Sequence, residues 1–216
     1  MHTFFDADSW LFQLISRFSS LVVLNLLFLF TCIPVFTMGA ALTALYDVVF
    51  RMDTPREGKT ASAYFRAFRA NFKQSTRVFL IIALILAAGC TNIFLLSGMT
   101  GPGAAVLSVI CVVILVNCIL ISGYAFPLIS QFHNTTGNIL KNSLLLTAAN
   151  LPRALICAGI NCFPWILMAV NFYSFIQLSF LWFALYFAAA AYFNSRVLMK
   201  LFDSLRRQAS EAEETQ

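Results

Sequence analysis

Charge is scarce in this chain. Its 14 Lys+Arg and 9 Asp+Glu make up only 11% of 216 residues, less than half the share in an average soluble domain. Together with 60% hydrophobic residues and a mean hydropathy of +0.83, that scarcity excludes an ordinary water-soluble fold. Histidine is nearly missing: His2 and His133 lie far in sequence from the six cysteines, Cys32, Cys90, Cys111, Cys118, Cys157 and Cys162. No CxxC and no Cys/His spacing occurs, and every cysteine falls inside an apolar run, where it packs as a small hydrophobe. Neither a metal site nor a disulfide framework is expected. The glycines between Ser97 and Gly103 have no lysine after them and lead into an apolar run, so they are not a phosphate loop. No intramembrane protease pattern or zinc ligand set is present. The expectation is a chain that is not an enzyme and holds no cofactor.

Long apolar runs are what remains. Several exceed 18 residues, enough to cross a hydrocarbon core of roughly 30 Å. They are continuous rather than alternating, which excludes a membrane barrel and leaves helices. The reading is an all-α polytopic membrane protein, a single integral membrane domain over residues 1–216, with five transmembrane helices or, alternatively, six.

Residues 1–19 carry acidic positions before Arg17, the reverse of a basic leader, so a cleaved signal peptide is not expected. Ser9 suits an N-cap. Trp10, Leu11, Leu14, Ile15 and Phe18 share a helical face, as in a short amphipathic helix at the interface. The first span runs from about Ser20 to Phe50 and is kinked at Pro34. As one helix it would measure about 46 Å, so it must tilt or protrude. Division at Pro34 into two short spans gives the six-span alternative. Residues 51–77 form the long hydrophilic connection: a turn from Met52 to Gly58, then a basic-aromatic helix with no acid between Thr60 and Arg77. The remaining spans are expected at 78–96, 104–132, 151–170 and 174–199. Residues 133–150 should form a short helix capped by Thr136 or Asn134, and the tail from 200 to 216 turns polar and frays.

Seven basic residues, Arg51, Arg56, Lys59, Arg66, Arg69, Lys73 and Arg77, lie in or beside the first connection. Lys141 and Arg153 flank the third, and Arg196, Lys200, Arg206 and Arg207 end the last span. The positive-inside rule places these segments and the C-terminus in the cytoplasm of a multi-pass cell-membrane protein. The N-terminus is then outside with five spans and inside with six, which suits Arg17 better.

A weak parallel internal repeat is visible: Asn25 precedes Pro34 by nine residues and Asn117 precedes Pro127 by ten, and each proline-bearing helix leads to an aromatic, amide-rich segment. The same residues carry a family resemblance. Phe5, Asp8-Ser9, Leu24-Asn25, Pro34, Thr37, Gly39, Ala44-Leu45-Tyr46, Phe68, Asn71-Phe72-Lys73, Thr76, Phe126-Pro127, Phe132 and Asn134-Thr135 resemble the YesL family of bacterial integral membrane proteins. What the resemblance implies is association with carbohydrate uptake systems of the ATP-binding-cassette (ABC) type, with permease or ATPase subunits as partners, and no catalytic motif.

Two sets of candidate residues follow. Tyr64, Phe65, Phe68 and Phe72, with Arg66, Arg69 and Lys73 on the other side of the helix, could face headgroups or dock a partner. Asn25, Pro34, Thr37, Asn117 and Pro127 interrupt apolar helices near their middles. Amides there, with Asn92, Asn161 and Gln177, could meet sugar hydroxyls beside Trp165, Trp182 or Tyr186, or could hold helices together. Asp47 is expected near the cytoplasmic end as an ordinary solvated carboxylate. The functional expectation is an accessory or permease-like component of carbohydrate uptake. The alternatives are an independent small-solute channel or carrier, or an assembly factor without substrate.

Overall fold

A computed structural model describes residues 10–52, 60–99 and 101–214, with backbone alone at 10–13 and 208–214. The expected cap at Ser9 and the turn from Asp53 to Gly58 lie outside the described residues. The described chain is helical: α1 (Trp10–Thr31), a short 3-10 turn (Val35–Thr37), α2 (Met38–Arg51), α3 (Thr60–Ser97), α4 (Pro102–Gln131), α5 (Thr136–Ala149), α6 (Leu151–Val170), α7 (Phe172–Gln177), α8 (Ser179–Leu181), a π-turn (Trp182–Tyr186) and α9 (Phe187–Glu214). Four of these, α1, α3, α4 and α6, are long and apolar enough to cross a membrane. That count neither reproduces the five expected spans nor the six.

Two breaks account for the difference. The first apolar stretch is not one helix kinked at Pro34; it is divided there. Pro34 has no N–H to return to Phe30, and its ring drives Ile33 away from helical geometry. The chain leaves the helix after Thr31 and passes Pro34 in an extended conformation (φ −76°, ψ 111°). The resulting α2 has 14 residues, about 21 Å, short of the hydrocarbon core. The expected span at 174–199 is likewise cut into α7, α8, the π-turn and α9.

Elsewhere helices continue where boundaries were expected. No Gly or Pro separates Trp10 from Thr31, so the predicted interfacial helix simply opens α1. The hydrophilic 60–77 segment and the next span form one helix of 38 residues, about 57 Å. The polar tail continues α9 to Glu214. The cap of α5 is Thr135, whose hydroxyl accepts from the Asn138 N–H at 3.3 Å, rather than Thr136 or Asn134. The α3–α4 turn needs glycine at Gly101, where φ is 144°.

The core sits at one end of the bundle. It takes α2, the N-terminal half of α3 (Tyr64, Ala67, Val78, Ile82), the C-terminal half of α4 (Tyr124 to Ile129) and the inner face of α9 (Ala188, Ala191, Leu198, Phe202). Helix α2 runs antiparallel to α3, Gly39 meeting Ser75 and Phe79 while the Asp47 carboxyl feels Arg66. Beyond this core the outer halves of α3 and α4 pack on each other at Gly89 and Leu115. They leave their remaining apolar surface open, with Leu84 and Phe94 more than 70% exposed. In a bilayer that surface is solvated by acyl chains.

Gly39 sets the α2–α3 approach. A Cβ there would lie 2.5 Å from the Ser75 carbonyl oxygen and 2.6 Å from the Phe79 Cβ. Gly39→Ala is expected to cost about 1–3 kcal/mol through backbone displacement. Gly123→Ala, where a Cβ meets nothing within 4 Å, should melt at or above the parent temperature. Thermal melts of the detergent-solubilised protein check both.

Candidate functional site

The basic-aromatic set lies in the N-terminal half of α3, and the helix divides it unequally. Tyr64 is fully buried, and Phe68 packs against the core. Tyr64 Oη lies 2.6 Å from Thr31 Oγ1 and reaches the Ala41 carbonyl at 3.5 Å, tying α3 to the end of α1 and the start of α2. Its ring meets Phe65 edge-on (centroids 5.7 Å) and stacks on Phe68 (6.4 Å), which leans on Phe72 (5.5 Å). The exposed face of the same helix presents Phe65, Arg66, Arg69, Lys73 and Arg77. A surface available to a partner is therefore cationic with one aromatic, while Tyr64 and most of Phe68 belong to the fold.

Contacts between chain ends gather further basic residues around this face. Ser20 and Thr60 hydroxyls are 3.4 Å apart, bringing Arg17's end of α1 to the start of α3. Gln74 donates to the Asn134 carbonyl at 2.6 Å, and Arg206 donates to Gln131 Oε1 at 2.5 Å while lying over the Phe132 ring. The stretch of α3 around Gln74, the end of α4, the start of α5 and α9 at Arg206 thus lie together.

The second set does not converge. Asn25 is fully buried and bonds the last helix: its Nδ2 donates to the carbonyls of Phe183 (2.7 Å) and Trp182 (3.4 Å), and its Oδ1 accepts from the Ala188 N–H (3.0 Å). Asn117, its supposed counterpart, is exposed and donates only to the Val113 carbonyl of its own helix. Pro34 lies in a break, whereas Pro127 lies buried inside a continuous α4. At these positions the two halves do different work. Thr37 serves the Pro34 break, its hydroxyl donating to the carbonyls of Thr31 and Pro34.

Sequence reading missed four polar contacts between helices. Asn194 donates to Tyr46 Oη at 3.2 Å and to Asn161 Oδ1 at 2.8 Å, joining α9 to α2 and α6. Ser75 donates to Thr43 at 2.8 Å across the α2–α3 crossing. Tyr186 donates to the carbonyl of Ile160, four residues before Pro164 and so deprived of its helical partner. The last had a readable signal, since a proline inside an apolar helix always frees the carbonyl four residues back. Trp182 is buried against Phe163, Phe175 and Tyr186, with its indole N–H donating to the Phe175 carbonyl.

Asp47 is not the solvated carboxylate expected. It is buried and paired with Arg51 at 2.6 Å. Burial raises its pKa above the usual carboxylate range, against Arg51 and Arg66, which lower it. All six cysteines are free, and among the described residues no three His, Cys, Asp or Glu side chains gather as a metal site would require.

A family model described as "Protein of unknown function, DUF624" matches residues 21–93, which take in the second half of α1, all of α2 and α3 as far as Ile93. No curated protein and no solved structure matches the chain.

Tyr64→Ala is expected to destabilise the isolated protein by about 3–5 kcal/mol, as for a truncated core aromatic, and Tyr64→Phe by about 1 kcal/mol for the hydroxyl bond. Arg51→Ala, which leaves a buried carboxylate unpaired, should cost about 1–3 kcal/mol. Asp47→Asn, which keeps an acceptor for Arg51, should cost less. Denaturation without any partner present separates these effects from docking.

Proposed function

We propose that this chain is an accessory membrane subunit of a bacterial carbohydrate uptake system of the ABC type. In this reading it docks a cytoplasmic ATPase or a permease through the exposed face of the N-terminal half of α3. The observation that carries the reading is the strip of Phe65, Arg66, Arg69 and Lys73, held outward on a helix whose opposite side is locked into the core by Tyr64 and Phe68. A rigid cationic ridge with one aromatic suits steering toward an acidic surface. The carbohydrate assignment rests on resemblance to the YesL family, and the match over 21–93 includes the whole ridge. Chemistry within the chain adds support, because the Asn25 amide is engaged by the backbone of the last helix and the Asn194 amide donates to Tyr46 and Asn161.

The ridge faces the cytoplasm under the positive-inside rule, together with the C-terminus. The proximity of Ser20 to Thr60 supports a cytoplasmic N-terminus as well, which also brings Arg17 into line with the other basic residues.

Phe65→Ser combined with Arg69→Glu and Lys73→Glu, which leaves Arg66 beside the buried Asp47, tests the reading. Membrane insertion and melting temperature should hold, while recovery of transporter subunits from native membranes in mild detergent falls about tenfold or more and sugar uptake falls with it. Unchanged recovery and uptake would sink the docking reading. Sugar flux by the purified chain alone in liposomes would favour the carrier instead.

A further inference from the structure

The last helix of the bundle makes one wide turn. In a π-turn the carbonyl of residue i faces the N–H of residue i+5, and Phe183 and Ala188 stand in that relation at the C-terminal end of the turn Trp182–Tyr186. The Asn25 carboxamide bridges these two groups, donating to the Phe183 carbonyl at 2.7 Å and accepting from the Ala188 N–H at 3.0 Å. One side chain of α1 thereby occupies the place of a peptide unit in α9's ladder. The residues within the turn hold the neighbouring elements: Trp182 is fixed to α7 through the Phe175 carbonyl and ring, and Tyr186 to α6 through the Ile160 carbonyl. Among the described side chains of α1 only Leu24, Asn25, Phe28 and Thr31 are buried, so α1 is attached along a single narrow stripe.

We propose that the π-turn is a two-register switch and that Asn25 is its latch. With the amide inserted, the extra residue of the turn is tolerated because its backbone groups are bonded. When α1 shifts and withdraws the amide, the Ala188 N–H bonds the Ala184 carbonyl and the turn closes into α register. The segment before it, α7 and α8, then rotates by about 100° and advances about 1.5 Å. Trp182 leaves its slot between Phe163, Phe175 and Tyr186. Movement of α1, whose start meets α3 at the basic end, is thus conveyed to the connection between α6 and α9.

The test uses the full chain in detergent with Trp10→Phe and Trp165→Phe, so that Trp182 is the sole indole. Asn25→Leu should red-shift Trp182 emission while the Ala188 amide stays protected from hydrogen exchange, because the closed register supplies a new acceptor. Loss of Ala188 protection with unmoved Trp182 emission would make Asn25 a fixed brace and overturn the switch. Deleting Ala184 with Asn25 intact imposes the closed register directly. That variant should purify as a folded protein with the same red-shifted emission, and adding Asn25→Leu to it should not lower its melting temperature further. A deletion variant that does not fold, or a double variant that melts below both single ones, would equally overturn it.

Discussion

A helix that breaks in a low-dielectric interior frees carbonyls and N–H groups that no water can reach, and each left bare costs several kcal/mol. At three places where the described chain breaks or loosens a helix, a side chain restores the bond. At Pro34 the hydroxyl of Thr37 takes up the carbonyls of Thr31 and Pro34. At Pro164 the hydroxyl of Tyr186 reaches the Ile160 carbonyl. At the π-turn the amide of Asn25 supplies donor and acceptor together. The restoring groups come from other elements in two of the three cases, so satisfying the backbone also sets which helices lie together. Without the Asn25 bonds the described contacts of α1 with the π-turn and α9 would be apolar, and apolar contact in lipid gives little preference for one neighbour over another.

That requirement also accounts for where the interior polar residues are spent. Interhelical amide bonds are worth about 0.6–2 kcal/mol each in membranes, and here they are arranged in closed pairs and bridges. Among the described residues the buried side-chain atoms without a partner are Thr76 Oγ1 and Asn194 Oδ1. They sit on α3 and α9 respectively and do not combine with the Asn25 set.

What the sequence made legible follows from the reach of each signal. Hydrophobic length located α4 to within two residues and α6 over its full range, because glycine, proline and asparagine bound them. The basic-aromatic periodicity set Tyr64, Phe65, Phe68 and Phe72 against Arg66, Arg69 and Lys73, whereas on α3 Phe65 shares the exposed face with the cations; periodicity says nothing of what covers a face. Tyr64 and Phe65 are adjacent and chemically alike, yet one is enclosed by α1 and α2 and the other is open. Asn25 and Asn117 share their distance to a proline, and only the tertiary placement of a π-turn beside Asn25 separates their roles. Such a turn arises from a mismatch between two packed helices and leaves no local mark in the residues 182–186.

The distribution of burial along α3 and α4 bears on where a partner can act. Their inner halves carry the buried side chains, the Thr43–Ser75 bond and the Gly39 crossing, and their outer halves carry little beyond the contact of Gly89 with Leu115. Opening free energy follows buried contact density, so the basic end is the rigid end and the outer hairpin depends on lipid for its order. In the proposed docking, a partner on the Arg66–Lys73 ridge would meet a backbone already ordered, leaving the side-chain rotamers of the ridge as the ordering cost. Rigidity there also means that force applied to the ridge is borne by α3 and α2 and passed to α1 through Tyr64 and Thr31, two bonded hydroxyls 2.6 Å apart. Asn25 lies less than two turns before Thr31 on that same helix.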